Sequence, residues 1–268
     1  MFASEPGCAT KRTPRREGRK DGLVAIVTAI PEEFHAIAKC VSYGERRRIG
    51  RRHRGFLLRG KIAGTPIILA MTGDGEVQAE RGLSFLLRET RVSVLIGAGA
   101  AGALSPSLGA GEILVAERVV DAAGEAPAPD AALVARAVAL GAKPATLVTV
   151  ARPVTSSKER GEVARRFGPA DRPVAVVDME SAAWARAAAG HGIPYVILRA
   201  VSDTFEEELP GFLSSCLSRD GSVNRVAVAR RLLFRPGALQ VLLRARERVR
   251  AGAEAIGRFL ERLLPEKI

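Results

Sequence analysis

Two acidic residues stand where an apolar segment ends in "VVDMESAAW", residues 176–184. Asp178 and Glu180 flank Met179, after a run typical of a buried strand and before a helical pattern. Taking a carboxylate out of water is costly unless a partner compensates for the lost hydration. The sequence therefore predicts that something binds at this strand end.

Three other apolar runs end in a comparable way. "LVAIVTAI" is followed by Glu32 and Glu33, "PYVILRAVSD" closes with Ser202 and Asp203, and "VSVLIGAG" leads into the glycine turn 99–102. Sites in open α/β sheets form beyond the carboxyl ends of the strands. Acids at three strand ends and a glycine turn at the fourth predict one shared site.

Strand-like and helix-like patterns alternate along the chain. They predict an α/β fold of three layers, with a mixed, mostly parallel sheet and helices on both faces. Trp184 is expected in the core, and Arg199 is a candidate for an internal ion pair beside the site. "GFLLRG" and "TPIILAMTG" predict a hairpin, and two helices split by "RPG" are expected after Leu209. Further strands are "EILVAERVV" and "ATLVTVA", and further helices are "EEFHAIAKC", "EVQAERGLSFLLRET" and "DAALVARAVAL".

The length of 268 residues and the hydrophobic content of 47% are typical of a globular protein. Residues 1–20 are dense in charge, which predicts a disordered basic tail, and residues 21–268 are expected to form a single domain. Three scattered cysteines without a CxxC pair predict reduced thiols, and the histidines lack metal-ligand spacing. Because no segment resembles a secretory signal or a membrane span, the expected location is cytoplasmic.

The formal charge of +12 is concentrated in the tail, between Arg46 and Arg54, and after Arg219. Such clusters attract nucleic acid, anionic lipid or phosphate-bearing substrates, or they form an ordinary solvated surface. Aromatic residues make up only 4% of the chain, and no nucleic-acid-binding motif is present. Nucleic acid is therefore the least favoured partner. A peripheral contact of the basic C-terminal helices with an anionic membrane stays open.

Four motifs, in this order, resemble those of the purine nucleoside phosphorylase and nucleosidase superfamily, which includes the methylthioadenosine/S-adenosylhomocysteine nucleosidases. They are "VAIVTAIPEEF", "VLIGAGAAGALSPSLGAGEILVA", "VVDMESAA" and "ILRAVSD", within residues 23–205. The resemblance implies a nucleoside phosphorylase-like fold, a homo-oligomer, and cleavage of the bond between a ribose anomeric carbon and a purine nitrogen. It further implies a small-molecule nucleoside substrate, no cofactor, and phosphate as a possible co-substrate.

The same resemblance implies a role for each acid. Glu180 would accept hydrogen bonds from two ribose hydroxyls, with Met179 against the sugar. Asp203 would protonate the departing purine, and Glu33 would position the attacking water, although neighbouring Glu32 leaves that register open. Each also has an ordinary structural interpretation: a helix-terminal acid for Glu180, a turn cap for Asp203, and a solvated helical turn for Glu33.

The glycine turn would also contact the substrate, through Ala101 and Gly102, together with Ser202. Gly97 and Ala100 stand where phosphorylases of this superfamily carry an arginine and a serine or threonine on phosphate. The loss of those donors favours water as the nucleophile, while phosphorolysis through another arginine stays open.

A narrower resemblance links "LPGFLSSCLSRDGSVNRVAVARRLLFRPG" and the arginine-rich segment after it to the hopanoid-associated phosphorylases. Those proteins act on an adenosyl group carried by a triterpenoid. The expected function is the release of adenine from a 5′-substituted adenosine, such as adenosylhopane or a methylthioadenosine-like compound, by hydrolysis or phosphorolysis. The alternative is a catalytically silent nucleoside-binding regulatory protein on the same fold.

Overall fold

A computed structural model describes residues 22–49, 55–167 and 174–264. The predicted basic tail, residues 1–20, lies outside these ranges, as does part of the arginine cluster between Arg46 and Arg54. The assignment of residues 21–268 to one domain stays a prediction.

Ten strands form one sheet. They are β1 (Leu23–Thr28), β2 (Ser42–Ile49), β3 (Gly55–Ile62), β4 (Thr65–Met71), β5 (Val92–Ala103), β6 (Ile113–Asp121), β7 (Gly124–Glu125), β8 (Lys143–Thr149), β9 (Ala175–Asp178) and β10 (Tyr195–Asp203). Their order is β10-β6-β8-β9-β5-β1-β4-β3-β2, with β7 beside β6. Because β10 also pairs with β5, the strands β5, β10, β6, β8 and β9 close into a ring.

The sheet is mixed. Strand β1 runs parallel to β4 and β5, β5 to β10, and β8 to β6 and β9. The predicted hairpin is confirmed as the antiparallel β3–β4 pair, and β2–β3, β5–β9, β6–β7 and β6–β10 are antiparallel as well. Among the described strands, parallel and antiparallel pairings are therefore equally frequent.

Helices cover both faces, as the sequence predicts. They are α1 (Pro31–Ala38), α2 (Glu76–Glu89), α3 (Ala131–Ala139), α4 (Ser157–Phe167), α5 (Ser181–Gly190), α6 (Arg225–Leu232) and α7 (Pro236–Leu263), with a short 3-10 helix at Gly211–Ser215. Alternate β1 residues supply two separate cores. Ala25 and Val27 lie in the core with α2 and α5, whereas Val24 and Ile26 lie in the core with α1, α3 and α7.

Helices α5 and α7 both lie next to the carboxyl ends of the strands but differ in burial. Trp184 of α5 is fully buried, as expected, and its indole N–H donates to Thr72 Oγ1 at 3.2 Å. Helix α7 is buried only in its second half, where Ile256, Phe259 and Leu260 pack in the core. Within the described ranges, no helix is both long enough and apolar enough to span a bilayer.

Candidate active site

One cavity is lined by the acids that follow three of the apolar runs and by the glycine-containing end of the fourth. Its volume is about 470 Å³. All the residues predicted to contact a substrate line it: Glu33, Ala101, Gly102, Met179, Glu180, Ser202 and Asp203. Side chains from four distant segments are thus able to reach the same small molecule.

Strand directions explain how the segments meet. Strands β1, β5 and β10 are mutually parallel neighbours, and Asp203 pairs with Gly102 at the end of β5. Strand β9 approaches differently, because it is antiparallel to β5 and pairs Val177 with Gly102. Glu180, like the other acids, follows the end of a strand, but that strand runs antiparallel to β5. It reaches the site because β9 pairs with the last residues of β5.

Glu180 is buried at the start of α5, with 7% of its surface exposed. Its Oε1 accepts the Gly75 N–H at 2.8 Å, and its Oε2 lies 4.0 Å from Arg199 Nη2. Gly75 has φ +80°, a left-handed conformation that favours glycine, and a Cβ there would lie 3.0 Å from the Gly221 carbonyl oxygen. The carboxylate makes no hydrogen bond to its own helix, so helix capping does not explain its burial.

Arg199 holds the neighbouring Asp178 in a buried ion pair, which confirms the internal pair expected for this arginine. The guanidinium also donates to Ser181 Oγ at 2.8 Å and lies 5.0 Å from the centre of the Trp184 ring. Thr149 donates to Asp178 Oδ1 at 2.8 Å. Asp178 is thus fully occupied by protein partners, which leaves Glu180 as the acid of this segment that is available to a ligand.

The two acids of α1 occupy different positions in the cavity, and Glu33 is the more deeply buried. Its Oε1 accepts the Ala100 N–H at 2.8 Å, and its Oε2 accepts the Ala29 N–H at 3.0 Å. Neighbouring Glu32 instead reaches the rim, 3.4 Å from Arg225 Nη2 and 3.1 Å from Arg246 Nε. Only Glu33 therefore lies at the base of the cavity beside residues 99–102. These residues continue strand β5, so the glycine turn predicted there is wrong.

The buried charges at the base of the cavity do not cancel. Three buried carboxylates, on Glu33, Asp178 and Glu180, surround one buried guanidinium, that of Arg199. Burial raises the pKa of Glu33 above its ordinary value. Burial, together with the nearby charge of Asp178, raises the pKa of Glu180 to about 8. Such a site stabilises either bound protons or a positively charged ligand.

Asp203 is held by two side chains at the end of β10. Its Oδ2 accepts a hydrogen bond from Arg160 Nη2, and its Oδ1 accepts one from the Ser202 hydroxyl, both at 2.5 Å. Arg160 is fully buried on α4. A Cβ at Gly102 would lie 2.7 Å from both Arg160 Nη1 and Asp203 Oδ2, so this glycine makes room for the pair.

The sequence pattern predicts neither α4 nor the burial of Arg160. The segment "SKERGEVARRF" lacks the apolar stripe by which a helix is usually recognised. The signal available in the sequence was a helix N-terminal capping pattern. Ser156 Oγ accepts the Glu159 N–H at 3.2 Å, and the Glu159 carboxylate accepts the Thr155 N–H at 2.8 Å. No comparable pattern indicates that Arg160 is buried.

The outer half of the cavity is apolar and comes from segments that sequence reasoning did not assign to the site. Helices α6 and α7 contribute Val228, Leu242 and Val249, and the chain before them contributes Leu209, Leu213 and Val223. Asp74 accepts the Val223 N–H at 2.6 Å, and Asp220 accepts a hydrogen bond from the Gln78 side chain at 2.5 Å. These bonds fix the 218–224 segment over the cavity.

The profile of the phosphorylase superfamily matches residues 23–219. The chain belongs to the phosphorylase superfamily. Curated relatives in this superfamily include the 5′-methylthioadenosine/S-adenosylhomocysteine nucleosidase of Actinobacillus succinogenes, 26% identical over 220 residues, which cover 70% of this chain and 91% of the relative. The corresponding nucleosidase of Geobacillus kaustophilus is 30% identical over 172 residues, covering 56% of this chain and 72% of the relative.

Solved structures of the superfamily share this fold. A 5′-methylthioadenosine/S-adenosylhomocysteine nucleosidase from Neisseria meningitidis, in complex with methylthio-immucillin-A, matches with a TM-score of 0.68 at 22% identity, over 90% of this chain and 98% of that one. A futalosine hydrolase of Helicobacter pylori matches with a TM-score of 0.68 at 18% identity, over 90% and 97%. The predicted enzyme class, which cleaves N-glycosyl bonds, is confirmed.

Proposed function

We propose that this protein hydrolyses the N-ribosyl bond of a 5′-substituted adenosine and releases adenine. The observation that carries the proposal is the convergence of Glu33, Glu180 and Asp203 on one cavity, with three buried carboxyl groups and one buried guanidinium at its base. Heterolysis of this bond develops positive charge on the ribose and negative charge on the purine. A fixed carboxylate cluster stabilises the first, and a proton donor stabilises the second.

Each acid has a separate task in this mechanism. Glu180 accepts hydrogen bonds from the two ribose hydroxyls, and Met179 packs against the sugar. Asp203 delivers a proton to the five-membered-ring nitrogen of the purine, while Arg160 and Ser202 fix the orientation of its carboxyl group. Glu33, held by the Ala100 N–H of β5, orients the attacking water. The names of the nucleosidase relatives support an adenine nucleoside as the substrate.

The charges of the cavity favour water over phosphate as the nucleophile. Among the described residues, Arg225 and Arg246 are the basic side chains in its lining, and both bind Glu32 at the rim. A phosphate dianion would therefore approach an excess of carboxylates. An arginine at position 97, where phosphorylases carry one, is excluded because even a Cβ there would lie 3.0 Å from the Trp184 ring.

Product analysis tests the reaction directly. Incubation of the purified protein with 5′-methylthioadenosine is expected to yield adenine and free 5-methylthioribose at the same rate with and without inorganic phosphate. Chromatography identifies the base, and mass spectrometry identifies the sugar. Formation of a ribose 1-phosphate would refute water as the nucleophile, and the absence of adenine with every adenosine derivative in a panel would refute the function.

The apolar outer half of the cavity predicts a preference for a large apolar 5′-substituent, of which adenosylhopane is the candidate. Each buried methylene contributes about 0.8 kcal/mol, so kcat/KM is expected to increase by more than about tenfold from 5′-methylthioadenosine to 5′-octylthioadenosine. Leu242→Asp should abolish this increase because Leu242 lines the cavity. Leu243→Asp is the matched control, since Leu243 is 47% exposed and does not line the cavity.

If kcat/KM in the unsubstituted protein stays constant or decreases as the 5′-substituent becomes longer, a bulky apolar substrate is contradicted. The substrate would then be a nucleoside with a small 5′-substituent.

The assembly into homo-oligomers and the cytoplasmic location stay predictions. Sedimentation velocity at micromolar protein concentration measures the former independently of activity.

A further inference from the structure

Large apolar side chains are exposed where α6 meets α7. Leu233 and Phe234, in the turn between the helices, are 79% and 86% exposed, and Val226 on α6 is 70% exposed. Leu239 and Leu243, one turn apart on α7, extend the same surface. We call residues 225–243 the C-terminal hairpin. Elsewhere in the described chain, large exposed apolar side chains are limited to Val77 and Val138, so the concentration here requires an explanation.

The hairpin and the helix turns that follow it are also strongly basic. Residues 221–250 contain a single acidic residue, Glu247, and eight arginines. The arginines are Arg225, Arg230, Arg231, Arg235, Arg244, Arg246, Arg248 and Arg250. Some are neutralised: Arg248 binds Glu207, and Arg250 binds Glu254. Arg230, Arg231 and Arg244 make no ion pair with any of the described residues.

We propose that the C-terminal hairpin docks on an anionic lipid bilayer. Leu233 and Phe234 enter the boundary between headgroups and acyl chains, and the unpaired arginines bind lipid phosphates around them. Apolar side chains at a tip, next to a basic rim, form the pattern of helices that bind at a membrane interface. The surface is too basic for a second copy of itself, since a two-fold contact would bring the arginines together. Nucleic acid would use the arginines but not the apolar tip.

Docking in this orientation would place the cavity close to the lipid. The two helices that expose Val226 and Leu243 also present Val228 and Leu242 to the cavity. A nucleoside with an apolar 5′-substituent would therefore move from the bilayer into the protein without crossing bulk water. The docking itself does not depend on the proposed substrate, and it is testable without one.

Sedimentation with vesicles tests the docking on the full chain. We expect binding to vesicles of equal parts phosphatidylglycerol and phosphatidylcholine, weakened by salt, and little binding to phosphatidylcholine alone. The double variants Leu233→Ser with Phe234→Ser, and Arg230→Glu with Arg231→Glu, should each lower the vesicle partition coefficient by about tenfold or more. These four residues do not line the cavity.

Matched controls separate the hairpin from other basic or apolar surface. Val138→Ser removes an exposed valine on α3, and Arg88→Glu with Arg91→Glu reverses two exposed arginines elsewhere; neither change should alter the partition coefficient. Thermal unfolding of every variant verifies that it is folded. The proposal is overturned if the protein does not bind anionic vesicles. It is also overturned if both hairpin variants bind vesicles as well as the unsubstituted protein does, because the membrane contact would then lie outside the C-terminal hairpin. Self-association that is lost in Leu233→Ser with Phe234→Ser, without vesicle binding, would assign the surface to a second copy and also overturn it.

Discussion

Replacing Asp203 with asparagine is expected to lower kcat for adenine release by about 10²–10⁴-fold, the range typical of a lost general acid. Asparagine preserves the shape of the side chain, and its amide oxygen can still accept a hydrogen bond from Arg160. The amide cannot deliver a proton to the purine, so the base would leave as an anion. Glu32→Gln is the matched control, because Glu32 lies at the rim of the same cavity and should change kcat less than about fivefold.

A second substrate distinguishes proton delivery from a structural role. A riboside with a 4-nitrophenol leaving group departs without protonation, so the Asp203→Asn protein should cleave it at a rate close to that of the unsubstituted protein. Equal losses on both substrates would indicate that the substitution damaged the site as a whole. Undiminished adenine release by Asp203→Asn would refute the assignment of Asp203 as the acid.

The acids of the site were predictable because each follows an apolar run that the sequence displays. Asp203 ends the apolar run of β10, and Glu33 lies in the first turn of the helix that follows β1. A buried carboxylate in such a place needs a partner. The same reasoning identified Arg199, whose charge lies within an apolar strand. The burial of these charged residues is predictable because the apolar residues next to them in the sequence indicate a buried strand.

The partners of those acids were not predictable, because they come from distant segments with no local signal. Arg160 reaches Asp203 from a polar helix, and the Gly75 N–H reaches Glu180 from a turn 105 residues earlier. The apolar lining from Val228 and Leu242 was hidden for a similar reason, since the sequence predicts both helices but does not indicate which strand ends they cover. Tertiary proximity, not local sequence, creates these contacts.

Glu180→Gln is expected to abolish most activity and yet stabilise the fold at alkaline pH. Glutamine retains the oxygen that accepts the Gly75 N–H but can no longer accept hydrogen bonds from two ribose hydroxyls as a carboxylate does. We therefore expect kcat/KM to decrease by about 10²-fold or more, with part of the loss in KM. In the unsubstituted protein, kcat/KM should rise with pH up to about 8, as the Glu180 carboxyl ionises.

The stability effect follows from the direction of the pKa shift. Burial, with Asp178 nearby, raises the pKa of Glu180 in the folded protein from 4.5 to about 8, so between these values the folded state binds more protons than the unfolded state. The free energy of unfolding therefore falls as pH rises through this window, and the cost is complete above about pH 8. Glutamine does not titrate, so the variant should gain up to about 5 kcal/mol relative to the unsubstituted protein at pH 9, at 1.36 kcal/mol per pKa unit, and little below pH 4.5.

Urea unfolding at pH 5 and pH 9 measures this difference within each protein, so the acidic condition serves as the internal control. A Glu180→Gln protein that is equally destabilised at both pH values would show that the carboxylate contributes to folding instead of opposing it. If the variant has a higher free energy of unfolding at pH 9 and has lost activity, the Glu180 carboxylate is needed for activity although its negative charge destabilises the fold. Such a charge is useful only when a positively charged group, the ribosyl cation of the reaction, arrives to compensate for it.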